Sequence, residues 1–113
     1  MAYEWRVRDL YRRLGYVYAQ TSRGCDRSLD NAGVDLANTG EWYVQIKAVE
    51  SGVNAHRVLD NMPNEQGKIR VVVHKKNKTK AHGGVVVSMY WADYEKIVQD
   101  RNKAIAAGYI TDV

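Results

Sequence analysis

The chain has 113 residues, 45% of them hydrophobic, a single cysteine and a formal net charge of +4 at pH 7. This length predicts one domain, residues 1–113, able to bury a core without staples. No run approaches the roughly 18 consecutive apolar residues of a membrane span, the mixed-charge start MAYEWRVRDLYRRLG has no signal-peptide core, and the lone Cys25 excludes an internal disulfide or a cysteine-rich zinc site.

Tyr3, Val7, Leu10, Tyr11 and Leu14 recur at helical spacing and predict a helix from Ala2 to Leu14, with Gly15 as its C-cap. The β-forming stretch Tyr16 to Gln20 reads as a strand, and the polar, aperiodic stretch Thr21 to Ala32 as a loop. GVDLA (33–37) and EWYVQIKAV (41–49) predict two strands joined in a hairpin by Asn38, Thr39 and Gly40. In the second strand Trp42, Val44, Ile46 and Ala48 share one face, and Tyr43, Gln45, Lys47 and Val49 the other. Ser51 is expected to cap a helix to about Met62, burying Val53, Val58, Leu59 and Met62 before Pro63 ends it.

KIRVVVH (68–74) predicts a strand buried on both faces, KKNKTKAHGG a turn, and VVVSMY (85–90) a further strand. Tyr94, Ile97, Val98 and Ile105 mark a last helix from Trp91 to Ala107, closed by Gly108. The order helix-strand-strand-strand-helix-strand-strand-helix predicts an α/β fold, a mixed central sheet flanked by helices.

From Lys68 to His82 the chain carries six Lys or Arg and no acidic residue. Such a run suits either a solvated hairpin turn or a phosphate-contacting surface, and charge alone does not choose between them. Asp26 and Asp30, in the loop before Asp35, are expected in Asx-turns, or as additional ligands if that loop folds over the site. His56, His74 and His82 lack metal-ligand spacing with one another or with Cys25. His74 ends a buried strand and suits a phosphate contact or a satisfied structural position equally. Trp5, Trp42 and Trp91 are expected in the core or at a dimer interface.

The most informative stretch is GVDLANTGEWYVQIK, from Gly33 to Lys47. Gln45 and Lys47 lie two apart on one strand, so they point the same way, and hairpin pairing can bring Asp35 beside both. A hard divalent cation takes oxygen ligands and keeps several waters. Asp35 offers a carboxylate oxygen, Gln45 an amide oxygen and Ile46 its backbone carbonyl. Lys47 can orient the attacking water and neutralise charge on a phosphoryl transition state. The same pattern also fits a turn aspartate beside a solvent-facing strand.

GVD followed by QIK resembles the active-site signature of the PD-(D/E)XK nuclease superfamily, in the Gln-containing form seen in Mrr-type endonucleases. Small size, a basic later half and a glutamate in the first helix resemble the archaeal and phage Holliday junction resolvases of that superfamily. The resemblance implies a catalytic set of Asp35, Gln45, Lys47 and Glu4, with metal held by Asp35, Gln45, the Ile46 carbonyl and Glu4. Gln45 stands where most members carry Glu or Asp. The implied cofactor is Mg²⁺, with Mn²⁺ as its substitute, and the implied partners are branched DNA and a second copy of the chain. Contacts to DNA are expected from Ser22, Arg23, Arg27, Arg6, His74, Lys75, Lys76, Lys78 and Lys80. The expected location is the cytoplasm of a bacterial, archaeal or phage-infected cell. The alternatives are another small restriction or repair nuclease, or a non-catalytic DNA-binding protein that keeps the fold.

Overall fold

The computed structural model describes residues 2–48, 52–75 and 84–111. Helix α1, Ala2–Arg13, follows the apolar stripe: Val7 is fully buried, with Tyr3 and Tyr11 packed on the same cluster. The strand expected over Tyr16 to Gln20 is a turn for most of its length, and strand β1 is only Gln20–Thr21. Tyr16 N donates to Tyr11 O and Ala19 N to Tyr16 O, while Trp42 Nε1 donates to the Tyr16 hydroxyl at 2.8 Å. Aromatic packing, not ladder pairing, uses Tyr16, while Val17 and Tyr18 are exposed.

The expected loop contains two short helices, α2 (Ser22–Cys25) and α3 (Arg27–Asn31). Asp26 accepts the Leu29 amide at 3.1 Å and caps α3, satisfying a donor the helix start leaves open. Strand β2, Leu36–Ala37, pairs antiparallel with β1.

Strand β3, Trp42–Ala48, pairs in parallel with β4, Ile69–Lys75, from Trp42↔Ile69 to Ala48↔Lys75. Helix α4, Ala55–Asn61, connects them and is capped by Asn54. The expected cap Ser51 lies outside the described residues. Strand β5, Val86–Ser88, pairs antiparallel with β4, giving a mixed sheet ordered β3-β4-β5. Helix α5, Trp91–Ala106, ends at Gly108, whose φ of +81° suits the left-handed residue that closes a helix.

The domain is therefore α/β, with a three-stranded mixed sheet between two helical layers. On one face Val44, Ile46, Val71 and Val73 meet Val7 of α1 and Ile97 of α5; on the other Val72 meets Val34, Leu59 and Met62. Alternation of valines along β4 explains its burial on both sides. Tyr94 and Val98, two of the residues that mark this helix, are exposed, and α5 contains no buried residue among those described. No helix among the described residues is long and apolar enough to cross a membrane.

Candidate active site

The expected hairpin between residues 33–37 and β3 is irregular, and that irregularity builds the site. Asp35 N donates to Val44 O at 2.7 Å, but the next pairing position is lost. Gly33, at φ +82°, turns the chain away and gives its own N–H to Asp30 O. Ile46 N is left without a strand partner on this edge, and the Asp35 carboxylate replaces one: Oδ2 accepts the Ile46 amide at 2.7 Å. The same oxygen accepts Gln45 Nε2 at 2.9 Å.

Gly33 has a second role. A Cβ on it would stand 3.2 Å from Gln45 Oε1, so its hydrogen lets the amide lie against the turn. Ser22 fixes the same segment from behind. Its backbone N donates to Asp35 O at 2.8 Å and its hydroxyl donates to Val34 O at 2.5 Å. Ser22 is fully buried, which places it inside the fold rather than on a DNA-facing surface.

Burial pushes the Asp35 carboxyl up to about 6; the Ile46 hydrogen bond pulls it back, Glu4 and Asp30 raise it, and Lys47 lowers it. The charged groups whose fields reach it are Glu4 on α1, Asp30 on α3 and Lys47 on β3. The sequence suits Asp30 to an Asx-turn or to an additional ligand; its field reaches Asp35 from α3, a helix that no periodicity announces. Glu4 also lies 4.0 Å from Arg23 Nη2, a long ion pair between α1 and α2 that the sequence did not foretell. Lys47 makes no ion pair among the described residues.

The other expected contacts are dispersed. Arg6 and Arg27 are exposed, and Arg23 is turned to Glu4. Lys75 Nζ sits 4.9 Å from the Tyr3 ring centroid. His74 Nε2 lies 3.0 Å from Ser88 Oγ. Lys76, Lys78 and Lys80 lie outside the described residues. Trp5 and Trp91 are exposed rather than in the core, and Trp42 is half-buried.

No three His, Cys, Asp or Glu side chains among the described residues form a metal-holding group by themselves. The oxygen donors near Asp35 are of mixed kind, and they suit a hard cation that keeps most of its waters. Asp35 Oδ1 accepts no hydrogen bond among the described residues, whereas Gln45 turns its NH₂ toward the carboxylate and must rotate its amide to offer oxygen. Comparisons with family models, with curated proteins and with solved structures find no match to this chain.

Proposed function

We propose that this domain is a metal-dependent, structure-selective DNA endonuclease of the Holliday junction resolvase kind, built on a restriction-endonuclease-like core. The observation that carries this reading is the character of Asp35. Asparagine could accept the same two hydrogen bonds through its carbonyl oxygen without the cost of a half-buried charge. A carboxylate raised to about 6 among Glu4 and Asp30 is instead a site for positive charge. The reading draws support from the crossover of β3 through α4 to parallel β4, although α2 and α3 stand between β1 and β2, which pair in a separate two-stranded sheet.

Asp35 and Glu4 are the carboxylates that would hold Mg²⁺ or Mn²⁺, with Gln45 and the Ile46 carbonyl as neutral donors. The chemistry supplied by that ion when bound is positive charge at the phosphodiester and acidification of water. Lys47 orients the attacking water and neutralises charge on the phosphoryl oxygens as one P–O ester bond breaks. Ser22 and Gly33 position Asp35 and Gln45. Recognition is of DNA shape and backbone, through contacts to phosphate oxygens. Paired cuts require two sites, hence a homodimer.

The second reading is a non-catalytic DNA-binding protein on the same fold, favoured by one observation: Gln45 replaces a carboxylate and presents its NH₂ to Asp35. Incubating the protein with four-way junctions, linear duplex and single strands in Mg²⁺, Mn²⁺ or EDTA separates the readings. Paired, metal-dependent cuts in junctions are expected. General degradation supports a repair or restriction nuclease, and binding without cleavage supports the second reading.

A further inference from the structure

The polar face that carries Gln45 and Lys47 continues across the sheet. Lys47 and His74 are register partners in the parallel β3–β4 pair, which sets their strands roughly 4.8 Å apart with side chains on the same side. On the far side of β4, Val72 pairs with Ser88 and His74 with Val86. Val73 enters the core against α1, so Val72, His74 and Ser88 face the side of Gln45 and Lys47. Val86, beside His74, is 49% exposed, and this end of the face is open among the described residues.

Ser88 Oγ lies 3.0 Å from His74 Nε2. A serine hydroxyl donating to Nε2 places the proton of the neutral ring on Nδ1. With the serine hydroxyl as the donor, Nδ1–H is left free to donate, and Nδ1 has no partner among the described residues.

We propose that His74, oriented by Ser88, is a phosphate-binding subsite: Nδ1–H donates to a non-bridging oxygen of the DNA backbone beside the phosphodiester that meets Lys47. This rests on the nuclease reading and extends it to a substrate-positioning pair. Ser88 sets the tautomer and His74 makes the contact.

Anisotropy of a labelled four-way junction, with Ca²⁺ in place of Mg²⁺, tests the assignment through binding alone. His74→Ala is expected to weaken binding roughly tenfold, in line with a lost hydrogen bond to a charged group. His74→Asn carries its amide nitrogen where Nδ1 lies and should bind within about twofold of the wild type, whereas His74→Gln, which mimics Nε2, should lose as much as alanine. Ser88→Ala is expected to lose about threefold, and KM should rise with kcat nearly unchanged in all weakened variants. Wild-type binding and cleavage with an unaffected His74→Ala would overturn the subsite alone. Equal losses in His74→Asn and His74→Gln would show a structural histidine and also overturn it. A wild-type protein that neither binds nor cuts DNA would remove both the subsite and the nuclease reading.

Discussion

The two ends of the β3–β4 pair use polar residues in opposite ways. At the start of the strands two basic side chains are held by carbonyl oxygens and aromatic rings. Lys68 donates to Gly40 O at 3.2 Å and lies over the Tyr43 ring, whose hydroxyl donates to Glu65. Arg70 donates to Leu59 O at 3.2 Å and lies over Tyr90, which donates to Asp60. At the far end Asp35 keeps a carboxyl pushed to about 6, with two further acids in its field. Lys47 has no ion pair among the described residues. Lys68 and Arg70 are thus held locally, whereas Asp35 lies in the field of two further acids. A cleft of about 530 Å³ lined by Glu41, Lys68, Asp93 and Asp100 lies at the start of the strands, away from Asp35.

The largest expected effect separates the two ends by activity. Lys47→Ala or Asp35→Asn should lower metal-dependent cleavage by about a hundredfold or more, measured on junction substrates, while Lys68→Ala leaves it unchanged. Core loss comes next in size and should spare neither end: Leu36→Ala, at a fully buried position, is expected to cost roughly 2–4 kcal/mol in denaturant unfolding. Gly33→Ala should cost about 1–2 kcal/mol from the left-handed backbone, with cleavage falling further than stability because the new Cβ meets the Gln45 amide. The smallest effect belongs to the start of the strands, where Lys68→Ala should cost less than about 1 kcal/mol in the same assay.

Titration sharpens the comparison further. The Asp35 carboxyl is raised from 3.8 to about 6 on folding. Between those values the folded chain holds a proton that the unfolded chain has released, so stability falls as pH rises through this window and the loss is complete above it. Asp35→Asn removes the loss. Its melting temperature should exceed that of the wild type at pH 8, and the advantage should vanish as pH approaches 4. An advantage independent of pH would mean that the carboxylate carries no burial cost.

The long elements were legible because their patterns are strong. Alternation along Trp42 to Ala48 and the valine run of β4 placed both faces of the sheet, and the Tyr3–Val7–Tyr11 stripe placed α1. The failures have physical causes. Tyr16, Val17 and Tyr18 have strand propensity, but Tyr16 is used in packing on Tyr11 and Trp42. Helices α2 and α3 are too short to show a period, and only the Asp26 cap marks one of them. On α5 the spacing of Tyr94 and Val98 is helical, yet spacing cannot tell a buried face from an exposed one.

The same limit applies at the site. Neighbouring strands made the meeting of Asp35 with Gln45 readable from their spacing. The inward turn of Ser22, the approach of Asp30 and the pairing of His74 with Ser88 depend on long-range placement that no local motif encodes.

In the proposed site Asp35 lies in the field of Glu4 and Asp30 as well as of Lys47, and a divalent cation would complete it. Thermal unfolding at pH 8 with increasing Mg²⁺, comparing wild type with Asp35→Asn, tests it without reference to cleavage. A ligand that binds only the folded state raises the melting temperature with its concentration. The account predicts a rising melting temperature for the wild type and a flat response for Asp35→Asn. Equal responses in the two proteins, or none in the wild type, would contradict it.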